Sequence, residues 1–524
     1  MPTVNEHSTH QMLQGPKQQS MMKKARPLLA LSLFTVLTLA LAARFWLRPT
    51  VEEQARHRLT ALTSVDGSLV QARVEAVAFS PFARRLALRG LEMRLVLSQG
   101  PVTCRIGEFS LRPSLRSLLA CTPLRDAALP ENGMMVVAEK ALLLNLSVLT
   151  PQGRVSAQRK EVESVRMDSA LLRQLADGAP TPALDLFYVM GASGVRCSFI
   201  SVDIPTVNRP VCIRIREASL RNWQGRSLNE TAFTDLQVRI DEQDVQRLDR
   251  LNLRDIMLPE EGQLRRFALP SAAPVPDEKA QQALTREIFA ADAPLFRELR
   301  LTGMTSAPPQ GNVELGHFGF DRLSNTPSRY RLTLSGLTIP MTAPGDGLAL
   351  PGLDALRLDA DISVEGRERD TILEKDAVKA TELGDLRHSL LLSGPAEGMN
   401  LRHALLSQHY GDISLHFDDH GLMARRTLSL APDQRAATVL GEGIDNFCAG
   451  NAPENTAIAA ALKTFADRPG SLDINSAKDE FHSLPEVLGA LQAGNRGMLF
   501  RIAARPGEES LAQQMARIRA GLAS

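Results

Sequence analysis

Apolar residues at every second position recur through most of this chain, and no other feature limits its fold as strongly. The pattern is plain in Leu86 and Leu88, in Leu91, Met93 and Leu95, and in 104–111. It returns in Leu299 and Leu301, in Tyr330, Leu332 and Leu334, in Leu356, Leu358, Ala360, Ile362 and Val364, and in Ile413, Leu415 and Phe417. Side chains of an extended strand point alternately to two faces, so these runs are strands with one apolar face. Further strands are expected at 136–148, 195–202, 211–220 and 236–240. The fold class that follows is mostly β with some α: an N-terminal transmembrane anchor, a long antiparallel β-groove or repeat-like sheet region, and a small α-rich C-terminal region.

The anchor is read from 27–47, PLLALSLFTVLTLALAARFWL, whose single charge is Arg44. Its 21 residues rise about 31 Å as a helix, enough for a hydrocarbon core of about 30 Å if Arg44 snorkels to the headgroups. Pro27, Leu28, Phe34 and Leu39 lie along it, and Trp46 falls at the interfacial belt. Lys17, Lys23, Lys24 and Arg26 precede it and favour a cytoplasmic tail over 1–26, polar and expected to be disordered. The alternative is a signal peptide cleaved after Ala40-Leu41-Ala42. On either reading the rest of the chain is exported, and the expected location is the bacterial inner membrane with the bulk in the periplasm.

Organisation beyond the anchor follows from where the alternation breaks. A β-rich region spans 51–266 with short helices; 267–292 holds the Pro-bearing stretch 270–276 and a helix; a second β-rich region spans 293–431; and 432–524 is helical. Within these, 114–120 reads as a small helix or tight crossover, and 159–177 and 182–190 carry helical spacing. The turn Asp418-Asp419-His420-Gly421 is expected to close a hairpin onto Met423 and a strand at 425–430. Helices are expected at 454–466 and 508–523, with short strands near Leu472 and at 498–503. The strings LALRGLEMRL (86–95), LRLTGMTSA (299–307) and LTLSGLTIP (332–340) each set a glycine after an alternating run, which reads as a repeated kink or bulge.

Chemistry is sparse. No nucleophile elbow, zinc-protease helix, P-loop or EF-hand loop occurs, so neither a catalytic residue nor a cofactor site is assigned and the chain is read as non-enzymatic. A formal charge of +1 and 4% aromatic residues leave no field or stacking surface for nucleic acid. His388, His403, His409, His416 and His420 cluster near Asp412, Asp418 and Asp419, but alternation puts His416 opposite Leu415 and Phe417, on a wet face, so no metal is assigned. Export makes a disulfide between Cys197 and Cys212 plausible chemistry across a hairpin, in a register that sets Phe199 against Pro210 and Val195 against Arg214. The other reading is two reduced, buried thiols.

Residues 74–149 carry a family resemblance. An alternating strand after the anchor, the Ser80-Pro81-Phe82 turn, LALRGLEMRL, and then IGEFSLRPSLRSLL leading to Leu124, Ala128 and another apolar strand resemble the N-terminal part of AsmA-like proteins. That resemblance implies a periplasmic β-groove and a role in lipid handling or envelope biogenesis. The partners it implies are the inner membrane and phospholipid acyl chains. An open sheet with one apolar face has to cover that face, and a chain with few helices has little else to cover it with. The alternative is an envelope scaffold or assembly factor whose sheet edges and C-terminal helices hold envelope proteins.

Overall fold

Strands as long as these carry a full row of N–H and C=O groups along each edge, and each row needs a partner. The computed structural model describes residues 48–62, 69–97, 100–120, 133–176, 190–205, 209–241, 243–258, 296–307, 312–325, 328–341, 350–367, 371–393, 409–430, 436–449, 453–477 and 496–523, with a few between 482 and 489. In it, β1 (Leu69–Arg73) and β2 (Ala76–Ser80) both pair with β3 (Arg85–Leu97). Every strand then pairs antiparallel with its successor: β4 (Gly100–Pro113), β5 (Met134–Thr150), β6 (Gly153–Asp168), β7 (Met190–Ile204), β8 (Val211–Gln224), β9 (Ser227–Ile240) and β10 (Gln243–Met257). The meander continues through β11 (Glu298–Ser306), β12 (Val313–Asn325), β13 (Ser328–Pro340), β14 (Ala355–Arg367), β15 (Thr371–Ala380), β16 (Gly384–Ser393) and β17 (His409–Asp419). It passes to β18 (Ser471–Ser476) and ends on β20 (Phe500–Arg505), while the short β19 (His482–Ser483) pairs with β17. The described strands form one 20-stranded sheet, mostly β as the alternation predicts. Because β10 pairs directly with β11, the two expected β-rich regions are one continuous sheet.

Helices gather at the ends. At the start, α1 (Arg48–Leu62) packs on β1 and β2, and Val77, Leu88, Leu91 and Ile106 form a buried cluster with Ala55 at its edge. The short α2 (Leu115–Ala120) and α3 (Ser169–Ala176) pack against β5 and β6. At the far end stand α4 (Leu422–Leu430), α5 (Ala436–Phe447), α6 (Pro453–Asp467), α7 (Arg496–Leu499) and α8 (Leu511–Ala523). There Ala424, Leu428, Leu511 and Met515 make a second buried cluster between α4 and α8. Among the described residues no helix packs extensively on any strand from β7 to β16.

Several local expectations change. Residues 159–168 belong to β6, paired on both sides, and only Ser169–Ala176 is helical. Two neighbouring strand edges override the helical spacing, and Asp168 starts the helix by accepting the Ala170 N–H at 2.8 Å. The strand expected at 425–430 is instead α4. Asp419 ends β17 and caps that helix, its carboxylate accepting the N–H groups of Gly421 and Met423 at 3.1 and 2.9 Å. The anchor 27–47, with Pro27, Leu28, Phe34, Leu39 and Trp46, lies outside the described residues, as do 267–292 and 182–189. Among the described residues no helix is long and apolar enough to cross a membrane.

The three kink glycines belong to a larger feature. Gly90 in β3, Gly303 in β11 and Gly336 in β13 have φ of 59°, 65° and 65°, and Asn145 in β5, Phe199 in β7 and Asp235 in β9 have 54°, 53° and 53°. The registers line these six up across the sheet, with Gly107, Gln158, Arg216, Asp249 and Gly316 standing at the same level in the strands between. A left-handed residue inside a strand bends it and offsets the side-chain alternation. Apolar inward positions therefore stand three apart across this line, as in Leu88 and Leu91, Ile106 and Phe109, Leu143 and Leu146, and Leu301 and Met304. A shorter line, Ser164 in β6, Asn222 in β8 and Asp255 in β10, runs parallel to the first. The six residue steps between the lines, from 158 to 164 in β6, span about 20 Å of strand. The two creases bound a strip of the sheet of about that width between β6 and β10, and we call the apolar face that this strip belongs to the trough.

Candidate functional site

The floor of the trough is built from directly paired residues, which in an antiparallel ladder point to one face. One row starts Val77, Leu88, Phe109, Leu143, Lys160, Cys197, Ala218, Phe233, Leu251. It continues Leu301, Phe318, Leu334, Ala360, Val378, Leu386, Phe417, Leu472, Ala504. From β2 to β20 its only charged member is Lys160, which has no ion-pair partner among the described residues. Sixteen steps from β3 to β20 at about 4.8 Å each carry the row roughly 75 Å along the sheet. Beside it runs a second row, including Leu253, Leu299, Phe320, Leu332 and Ile362. Phe320 packs against Phe296 and Tyr330 at centroid distances of 5.7 and 5.9 Å.

These floor residues differ from a protein core. Between the two terminal clusters, Leu251, Leu299, Leu301, Phe318, Leu334 and Ile362 are half-buried with no described helix laid over them. The reverse face is polar and tied by cross-strand ion pairs. Arg331 meets Asp361 at 2.6 Å, Arg300 meets Asp321 at 2.6 Å, Arg329 meets Glu365 at 2.9 Å, and Glu161 is held between Lys140 and Arg159. Hydrogen bonds from Lys140 and Arg159 keep the Glu161 carboxyl below the usual range, and one from Arg331 does the same for Asp361. Such exposed pairs contribute little stability each, but they mark which face meets water.

Polar groups enter the floor at several places beyond Lys160: Thr231, paired with Leu253; Arg322, set over the Tyr330 ring; and a cluster at β15 and β16. Asp376 in β15 pairs with Ile362 and His388, and His388 with Leu415, so both stand in the second apolar row, with Glu374 one step along the same face. His388 Nδ1 lies 3.3 Å from Asp376 Oδ2. Burial pushes the Asp376 carboxyl above its ordinary value, the nearby His388 opposing that shift and Glu374 adding to it. The histidine reading is thereby divided. His416 does point to the wet face, held by Asp473 at 2.6 Å and Asp418 at 3.0 Å, whereas His388 faces the trough. Alternation in Glu374, Asp376 and Val378 is the signal that locates β15; its charged members hide it from a search for apolar periodicity.

The expected disulfide does not form. Cys197 pairs with Ala218 and Cys212 with Asp203, leaving six residues of ladder between the thiols' levels, about 20 Å where a bridge needs Cα atoms within about 7 Å. Both cysteines are free, as is Cys104. The observed register matches Val195 with Leu220 and Ile200 with Ile215, apolar against apolar, where the expected one sets Val195 against Arg214. Burial raises the Cys197 thiol, with Lys160 beside it acting in the other direction.

No known family model matches the chain, and no curated protein matches it either.

Proposed function

We propose that this chain is a membrane-anchored, non-enzymatic periplasmic protein whose trough binds or guides phospholipid acyl chains in envelope biogenesis. One observation carries the reading: an apolar row that crosses the sheet from β2 to β20 with no described layer packed over its middle. Leaving such a face to water is costly, and an acyl chain covers it without directional contacts, which explains the scarcity of polar anchors on the floor. Each buried methylene contributes about 0.8 kcal/mol, so a dozen supply roughly 10 kcal/mol before the entropy of ordering the chain is subtracted. The AsmA-like resemblance of residues 74–149 supports the same reading.

Native mass spectrometry of the full chain, purified from membranes in mild detergent, tests it. The expected result is co-purified phospholipid that is lost from a Leu301→Asp, Phe318→Asp double variant with an unchanged circular-dichroism spectrum. Protein that carries no lipid, or lipid retained by the double variant, overturns the proposal. A stoichiometric protein partner in place of lipid favours the scaffold alternative.

A further inference from the structure

Two carboxylates and an imidazole converge on the floor at β15 and β16, where neighbouring positions are Ile362, Val378, Leu386 and Leu415. One ligand atom from each of Glu374, Asp376 and His388 lies within 4.8 Å of the others. Asp376 is more enclosed than His388, its side chain 13% against 25% exposed, and its Oδ1 is buried with no hydrogen-bond donor. Neither Glu374 nor Asp376 has a lysine or arginine partner among the described residues. Two carboxylates on an apolar floor, one with an unpaired buried oxygen, are expensive to keep without a cation. The outward ion pairs show how the chain treats carboxylates elsewhere: Asp361, next to this site in sequence order on β14 but on the other face, is met by Arg331.

We propose that Glu374, Asp376 and His388 bind a divalent transition-metal ion. Mixed carboxylate and imidazole donors suit Zn2+ and its neighbours. Donor atoms about 2.0–2.2 Å from a tetrahedral ion lie about 3.3 Å apart, the separation seen between His388 Nδ1 and Asp376 Oδ2. Three protein donors leave at least one position open toward the trough. The ion neutralises the floor there and clamps β15 to β16. His416 is the control, because both its ring nitrogens already face carboxylates on the other side of the sheet.

Zn2+ titration of the metal-stripped full chain by calorimetry tests this. The expected result is a saturable site that weakens at least about ten-fold in His388→Ala and in Asp376→Asn and is unchanged in His416→Ala. In the unaltered chain, Zn2+ should shield His388 but not His416 from carbethoxylation mapped by mass spectrometry, a readout that holds even if a variant fails to fold. No saturable binding, binding that survives both His388→Ala and Asp376→Asn, or protection of His416 in place of His388 overturns the assignment.

Discussion

The ends of this sheet and its middle are made from the same kind of strand and solve the burial of an apolar face differently. At the ends, helices supply a second layer: α1 over β1 and β2, and the α4–α8 group beyond β17. From β7 to β16 the strands are as long and as apolar on one face, yet no described helix covers them. A two-layer packing turns apolar area into stability of the folded chain itself; an open trough leaves it available to something that binds. On the proposed reading, the comparison separates residues that hold the protein together from residues left to bind lipid.

The widest gap is expected from one substitution made in both regions. Leu428, 7% exposed in the C-terminal cluster, should cost about 3 kcal/mol as Leu428→Ala. Leu334→Ala, on the half-buried floor, should cost only about 1 kcal/mol while reducing bound lipid. Urea midpoints with hydrogen exchange read by peptide would show it; equal losses at both positions would mean the middle is a packed core.

The crease offers a sharper contrast at intermediate size. A Cβ on Gly303 would lie 2.2 Å from Asp249 Oδ2 in a left-handed backbone, so Gly303→Ala should destabilise by about 1–2 kcal/mol. Phe199 sits on the same line, 58% exposed and also left-handed, so Phe199→Gly should be tolerated or stabilising by up to about 1 kcal/mol. If thermal melts rank the two variants the other way, the crease is not what shapes the sheet.

That line also shows how far the sequence was readable. Alternation located most strands, because polar outward positions kept the apolar face visible. Gly90, Gly303 and Gly336 showed three points of the crease, but Asn145, Phe199 and Asp235 carry the same backbone with side chains that do not announce it. The better signal was the spacing itself, two apolar positions three apart around polar residues, repeated from Leu88–Leu91 to Leu334–Leu337. Register was less legible: the Cys197 and Cys212 pairing assumed a tight hairpin, whereas the ladder opens at Ile204 and Val211. The trough's polar cluster was missed because β15 interleaves charges with its apolar residues.

Smaller effects belong to the junction where trough gives way to helices. Asp419→Ala removes the cap of α4 and should cost about 1 kcal/mol, read as faster exchange in the first turn of that helix. His416 joins β17 to β18 through Asp473, and hydrogen bonds from it to Asp473 and then Asp418 raise its pKa. Its contribution is therefore whole below the ordinary histidine value and is lost as pH rises through the raised one. The melting temperature of the C-terminal unit should fall across that interval, and His416→Gln should remove the dependence.

Photocrosslinking tests the central claim, that the apolar floor carries acyl chains, most directly. A benzophenone side chain at Phe318 reports the floor, and one at Thr333, one residue from Leu334 and so on the reverse face, reports the outside. Irradiation in intact cells should yield phospholipid adducts at 318 and none at 333. Equal lipid adducts at both positions, or protein adducts alone at 318, would contradict the account.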